Sequence, residues 1–350
     1  MEQKNFDPDG VGVDNGTYFG LPFAPETAEL VLISAPWDVT VSYGAGAAYA
    51  PDAIIEASTQ LDFHDPLAPG VWRRGIATAD VDYSLLESSQ RLRADAARVI
   101  DHLEGGGCLE DDYVVRKVRR VNEGCMSMNA NVGAQASRWL DAGKTVGLVG
   151  GDHSTPYGLI RALGRRHASF GILHIDAHCD LREAYEGFEY SHASIMFNVL
   201  RDVPQVSRLV QVGVRDFSAG EAARAASDAR ISTFDDLSLA GAAFDGVTWS
   251  EQCRKIVAVL PDEVYVSFDI DGLSFENCPH TGTPVSGGLT FNQAVWLLAE
   301  VVRSGHRIIG FDMVEVTPVP DDRIDAITGA RILWKLCGLT LRSHTENPQR

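Results

Sequence analysis

Six short apolar runs rich in β-branched residues, separated by longer stretches of helical period, constrain this chain more than any other feature. They are Leu30–Ala35, Thr145–Val149, Phe170–Ile175, Arg208–Val212, Glu263–Phe268 and Arg307–Phe311. Strands that are apolar on both faces belong inside a mostly parallel sheet covered by helices, which predicts an α/β fold. Helices are expected over Ser88–His102, Ser127–Ala142, Pro156–Arg165, Gly220–Ser227, Asn292–Arg303 and Ala326–Leu336. No internal repeat is visible, and Gly105–Gly107 is the one strong break, placed after a helix. The 350 residues are read as an irregular N-terminal arm over residues 1–28 and one domain over residues 29–350. The arm, rich in Gly, Asp and Pro over Asn5–Pro25, is expected on the surface or on a neighbouring subunit.

Charge narrows the partners. Thirty Lys and Arg stand against 48 Asp and Glu, a formal charge of −18 that repels phosphate backbones and favours cationic ligands. Nucleic acid is therefore excluded as a partner. No apolar stretch approaches the length of a membrane span, and the N-terminus has no basic segment followed by an apolar run, so a cytoplasmic protein without a membrane partner is expected. The six cysteines are widely spaced with no CxxC pair, the pattern of reduced and mostly buried thiols.

Three motifs place His and Asp directly after apolar strands, where the tips of a parallel sheet gather ligands: GGDHS at 150–154, DAHCD at 176–180 and SFDID at 267–271. Asp176, His178 and Asp180 sit at i, i+2 and i+4, so an extended chain turns all three to one face. Asp269 and Asp271 repeat the i, i+2 spacing. With His153 the set is four aspartates and two histidines, oxygen and nitrogen donors suited to Mn²⁺, Ni²⁺, Co²⁺ or Zn²⁺ rather than Ca²⁺. Six such donors suit two divalent ions, and a metal pair roughly 3.5–4 Å apart lowers the pKa of a shared water enough to give hydroxide at working pH.

With these motifs the chain resembles the ureohydrolase family, which includes arginase, agmatinase, formimidoylglutamase, guanidinobutyrase and guanidine hydrolase. The resemblance runs from Trp37 to Cys337. It implies an arginase-like three-layer α/β/α sandwich with a mostly parallel central sheet, and a trimer or hexamer, homo- or hetero-oligomeric. It implies two ions, Ni²⁺ or Mn²⁺, held by His153, Asp176, His178, Asp180, Asp269 and Asp271, with Asp176 and Asp269 bridging. It also places His192, Glu315 and Asp180 among the catalytic residues. Glu315, in GFDMVEVTP at 310–318, would hold the guanidinium through paired charge-assisted hydrogen bonds. His192, in YSHAS at 190–194, would relay protons, as an imidazole titrating near neutrality can. The implied reaction cleaves a C–N bond of a small cationic guanidino compound and releases urea with ammonia or an amine.

Arginases carry an Asn directly after the DAHCD-type motif, whereas this chain has Leu181 and Arg182, and Arg182 would repel the ammonium group of arginine unless turned away. The segments FDPDGVG at 6–12, NGTYFGLP at 15–22, WDVTVSYGAG at 37–46 and CPHTGTP at 278–284 resemble the nickel-dependent guanidine hydrolase branch, whose relatives include metformin hydrolases. Guanidine or a biguanide such as metformin is thus the leading substrate. His280 and Thr281 are read as pocket residues, and Ser274 and Phe275, where the family has Asp and Pro, as an altered rim. Open alternatives are an agmatinase or other guanidino-alkyl hydrolase, an arginase, a non-catalytic subunit of a mixed oligomer, and a single-metal amide deacetylase.

Overall fold

A computed structural model describes residues 6–345. Eight strands form one sheet in the order β2-β1-β3-β8-β7-β4-β5-β6, every neighbouring pair parallel. They are β1 (Leu30–Ala35), β2 (Ile76–Thr78), β3 (Thr145–Gly150), β4 (Phe170–Ile175), β5 (Val206–Val212), β6 (Ile231–Phe234), β7 (Glu263–Asp269) and β8 (Arg307–Val314). Alternation along each strand feeds two cores. Leu30, Leu32, Val264 and Val266 face one, with α1 (Ala50–Ser58), α8 (Trp249–Val257), α9 (Phe291–Arg303) and α10 (Ile324–Ser343). Val31, Ile33, Phe170 and Ile172 face the other, with α2 (Tyr83–Glu104), α3 (Asp112–Asp141), α4 (Tyr157–Gly164) and α5 (Ile195–Asp202). This is the expected three-layer sandwich. Helices α6 (Ala219–Ser227) and α7 (Asp236–Phe244) flank the β6 edge.

Two short strands and four helices, α1, α5, α7 and α8, go beyond the sequence expectations. Helix α3 begins at Asp112 rather than Ser127, running through Gly124 in mid-helix. That glycine is where α2 crosses: a Cβ on Gly124 would lie 2.2 Å from Leu92 Cδ1.

Residues 7–16 of the N-terminal segment lie mostly on the surface, as expected of the arm, of which Asn5 lies outside the described residues, but the stretch that follows is buried. Tyr18, Phe19 and Leu21 are buried; the Tyr18 hydroxyl shares a 2.8 Å hydrogen bond with Ser34 Oγ, and the Phe19 ring meets Trp334 of α10 edge-on at 4.9 Å. The aromatic residues, not the Gly and Asp around them, decide where this stretch goes. Phe19→Ala is expected to cost about 3 kcal/mol through the cavity it leaves, read as a lowered midpoint in urea unfolding. An unchanged midpoint would contradict this packing.

None of the six cysteines is in a disulfide; Cys108 is exposed and the other five are buried. Among the described residues no helix is long and apolar enough to cross a membrane.

The sheet order decides where a site can form. Strands β3, β8, β7 and β4 are neighbours in the middle of the sheet, and the chain leaves their carboxyl ends in loops that open around one point. Each of the three His/Asp motifs, and Glu315, follows one of these strands.

Candidate metal centre

Asp176 stands at the centre of the site. Its Oδ2 lies 2.9 Å from His153 Nδ1, whose other neighbours are Asp180 Oδ2 and Asp269 Oδ2, both at 3.1 Å. Its Oδ1 lies 3.4 Å from His178 Nδ1, which also sits 3.1 Å from Asp271 Oδ2. One carboxylate thus lies between two donor groups. All six predicted donors come together. Asp269 Oδ1 accepts the Asp271 backbone N–H at 2.9 Å.

The convergence is not achieved by an extended chain. Strand β4 ends at Ile175, and Asp176 folds back to accept the His178 N–H at 2.5 Å. Asp180 adopts a left-handed conformation with φ 54°. Glu315 is left-handed too, with φ 62°, so both side chains are aimed by strained backbone of the kind that clusters at functional sites.

A polar row, buried except at Thr233, lies beneath the donors. Thr233, Gln211, His174, Ser267 and Asp312 are paired residue to residue across β6, β5, β4, β7 and β8. Gln211 Nε2 donates to His174 Nδ1 at 3.1 Å, leaving the His174 Nε2–H to donate to Asp176 Oδ2 at 2.7 Å. Ser267 Oγ donates to Asp312 Oδ1 at 3.2 Å, so its 2.9 Å contact with His153 is accepted from the His153 Nε2–H. In the neutral ring His153 Nδ1 is then a bare lone pair. It is buried among three carboxylate oxygens and hydrogen-bonds to none of them. Acceptors converging on acceptors in a dry interior require a cation between them. Titration shows the same crowding: burial, then Asp271 and Asp176, push the Asp269 carboxyl well above the ordinary range, burial with Asp176 raises Asp180, and, against burial, Asp176, Asp180 and Asp269 push the His153 imidazole well up, so a proton fills the gap when no metal does. The donor set fits divalent ions.

A cavity of about 420 Å³ reaches the donors from solvent, lined by His178, Asp180 and His192 and, farther out, by Tyr43, Arg182, Tyr185 and Glu221. His192 stands edge-on to the Tyr185 ring, 6.1 Å away. Burial, reinforced by His178, lowers its pKa to about 3, so it is a neutral imidazole at pH 7 rather than a group titrating near neutrality.

Glu315 is buried beside His153 and is not itself among the residues lining the cavity. Its Oε1 accepts the His153 N–H at 2.8 Å, and burial followed by the Asp152 charge raises its pKa well above the usual carboxylate value. Its Oε2 lies against Gly282, at 3.4 Å from where a Cβ would stand. His280 and Thr281 are not among the residues lining the cavity, which takes Thr283, Pro284 and Val285 from the same loop. His280 Nδ1 pairs with Asp325 Oδ2 at 2.7 Å and Thr281 Oγ1 donates to the Glu315 carbonyl at 2.9 Å, so both brace the loop. Ser274 and Phe275 also lie off the cavity wall; Ser274 Oγ accepts from Asn277 Nδ2 at 2.7 Å.

Comparison with known proteins gives a consistent picture. The Arginase family model matches residues 28–338. The N(1)-aminopropylagmatine ureohydrolase of Thermus thermophilus is 30% identical over 315 residues, covering 90% of this chain and 91% of its own. The agmatinase of Serratia proteamaculans is 31% identical, with 90% and 89% covered. Among solved structures, proclavaminate amidino hydrolase from Streptomyces clavuligerus superposes with a TM-score of 0.71 at 24% identity, covering 94% of this chain and 97% of that one.

Proposed function

The chain belongs to the arginase family, hydrolases acting on amidino C–N bonds, and from that membership we propose that it cleaves a small guanidino compound to urea and ammonia or an amine. The observation that carries the reading is the convergence of His153 Nδ1 with the buried carboxylates of Asp176, Asp180 and Asp269, beside a solvent-reached cavity that Asp180 and His178 line.

His153, Asp176, His178, Asp180, Asp269 and Asp271 are the residues that would hold two divalent ions, Ni²⁺ or Mn²⁺, which supply Lewis acidity and acidified water at neutral pH. Glu315 binds the guanidinium: a buried carboxyl that favours its proton when alone gives it up beside a planar cation able to donate two hydrogen bonds. His192, neutral and in the cavity wall, accepts a proton and hands it to the departing nitrogen. His174 fixes Asp176 through its Nε2–H, and Ser267 fixes the tautomer of His153. Ser267→Ala is expected to weaken metal binding about 10- to 100-fold by calorimetric titration. Unchanged affinity would remove the polar row from the account.

Guanidine or a biguanide such as metformin remains the leading substrate. The second reading, agmatine or a longer aminoalkyl guanidine, is favoured by the names of the relatives above. Urea release across guanidine, metformin, agmatine, arginine and 4-guanidinobutyrate, with the chain loaded separately with Ni²⁺ and Mn²⁺, tests both. Release from none of the five would overturn the proposal and favour a non-catalytic subunit.

A further inference from the structure

Resting on that reading, we infer that Arg182 selects the far end of the substrate, admitting a carboxylate-ended or uncharged guanidino compound and disfavouring one with an ammonium tail. Arg182 lies two residues beyond Asp180, and both line the same cavity with His178 and His192. A molecule with its guanidinium at the donors therefore extends toward Arg182. The side chain is turned into the cavity, not away from it. Its guanidinium stacks 4.8 Å over the Tyr185 ring, and its Nε lies 3.5 Å from Glu221 Oε2, while the side chain is 38% exposed. Among the described residues its two terminal nitrogens have no hydrogen-bond partner, so they are free to donate to a ligand.

Glu221 offsets part of this charge but is held in place by other donors and does not turn to the ligand. Its Oε1 accepts the Leu181 N–H at 3.2 Å, and its Oε2 accepts the Ser218 N–H at 2.9 Å and the Ser218 hydroxyl at 2.8 Å, at the first turn of α6. A carboxylate spread over three donors and a helix N-terminus has little left for a ligand cation. Asp216, the other acid on the outer wall, is exposed and screened by water. What remains for a substrate tail is a pre-positioned fork of N–H donors, the geometry that matches a carboxylate and repels an ammonium.

The test compares two tails of similar length on the same warhead, 4-guanidinobutyrate and agmatine, binding to the metal-loaded protein by calorimetry and releasing urea in parallel. The wild type should bind 4-guanidinobutyrate at least about tenfold more tightly, a difference of about 1.4 kcal/mol. Arg182→Gln should bring the two within about threefold, Arg182→Glu should invert the order, and Arg182→Lys should keep it. Equal or tighter binding of agmatine by the wild type, or a preference unmoved in Arg182→Gln, overturns the inference. Binding that follows this pattern with no urea from any of the five guanidino compounds leaves the tail selection standing and removes the hydrolase reading instead.

Discussion

Asp176→Ala protein is expected to lose its divalent metal and to release urea about four orders of magnitude more slowly than the wild type, or not at all. Among the described residues no other carboxylate pairs with both His153 and His178: Oδ2 looks to His153 and Oδ1 to His178. Removing it also strands the His174 Nε2–H in a fully buried position, so the row beneath the site loses its acceptor as well. Metal content by elemental analysis and urea by colorimetry read the two losses separately. Full turnover in the metal-depleted variant would end the account.

Glu315→Gln should behave differently. Glutamine keeps an oxygen for the His153 N–H, so the protein should fold and take up metal as before. It loses the charge that a guanidinium needs in a dry setting, and kcat/KM should fall about 100-fold or more, since charge-assisted hydrogen bonds are each worth about 1.5–3 kcal/mol. Lost metal together with lost activity would mean that Glu315 serves the metal centre and not the substrate.

Much of this was legible in the residues. Leu30–Ala35 and Phe170–Ile175 appear with the expected bounds because continuous apolar runs between turn signals have no amphipathic alternative. Ile76–Thr78 has three residues and Ile231–Phe234 is a partly exposed edge strand, too short or too mixed to carry a pattern. The six donors could be named because His and Asp at strand ends are costly unless they bind something, yet the structure brings them together by a route other than the i, i+2, i+4 spacing: the left-handed turn at Asp180 aims that side chain. His174 was the visible clue that went unread, an imidazole inside the apolar run FGILHI. Its partners Gln211, Ser267 and Asp312 come from three other strands, and only the register of the sheet shows that they form one row. The cavity wall was equally hidden, since Arg182 and Glu221 meet through tertiary packing across 39 residues of sequence.

The central claim is a two-metal site built for a guanidino compound, and one measurement addresses it directly. The purified chain, loaded with Ni²⁺ or Mn²⁺ and freed of excess ion, is assayed for metal per chain and for urea release from the five guanidino compounds on the same sample. The account predicts two ions per chain and urea from at least one compound, with activity falling as the ions are removed by chelator and returning with them. A single tightly held ion, or two ions with no urea from any of the five, would contradict it.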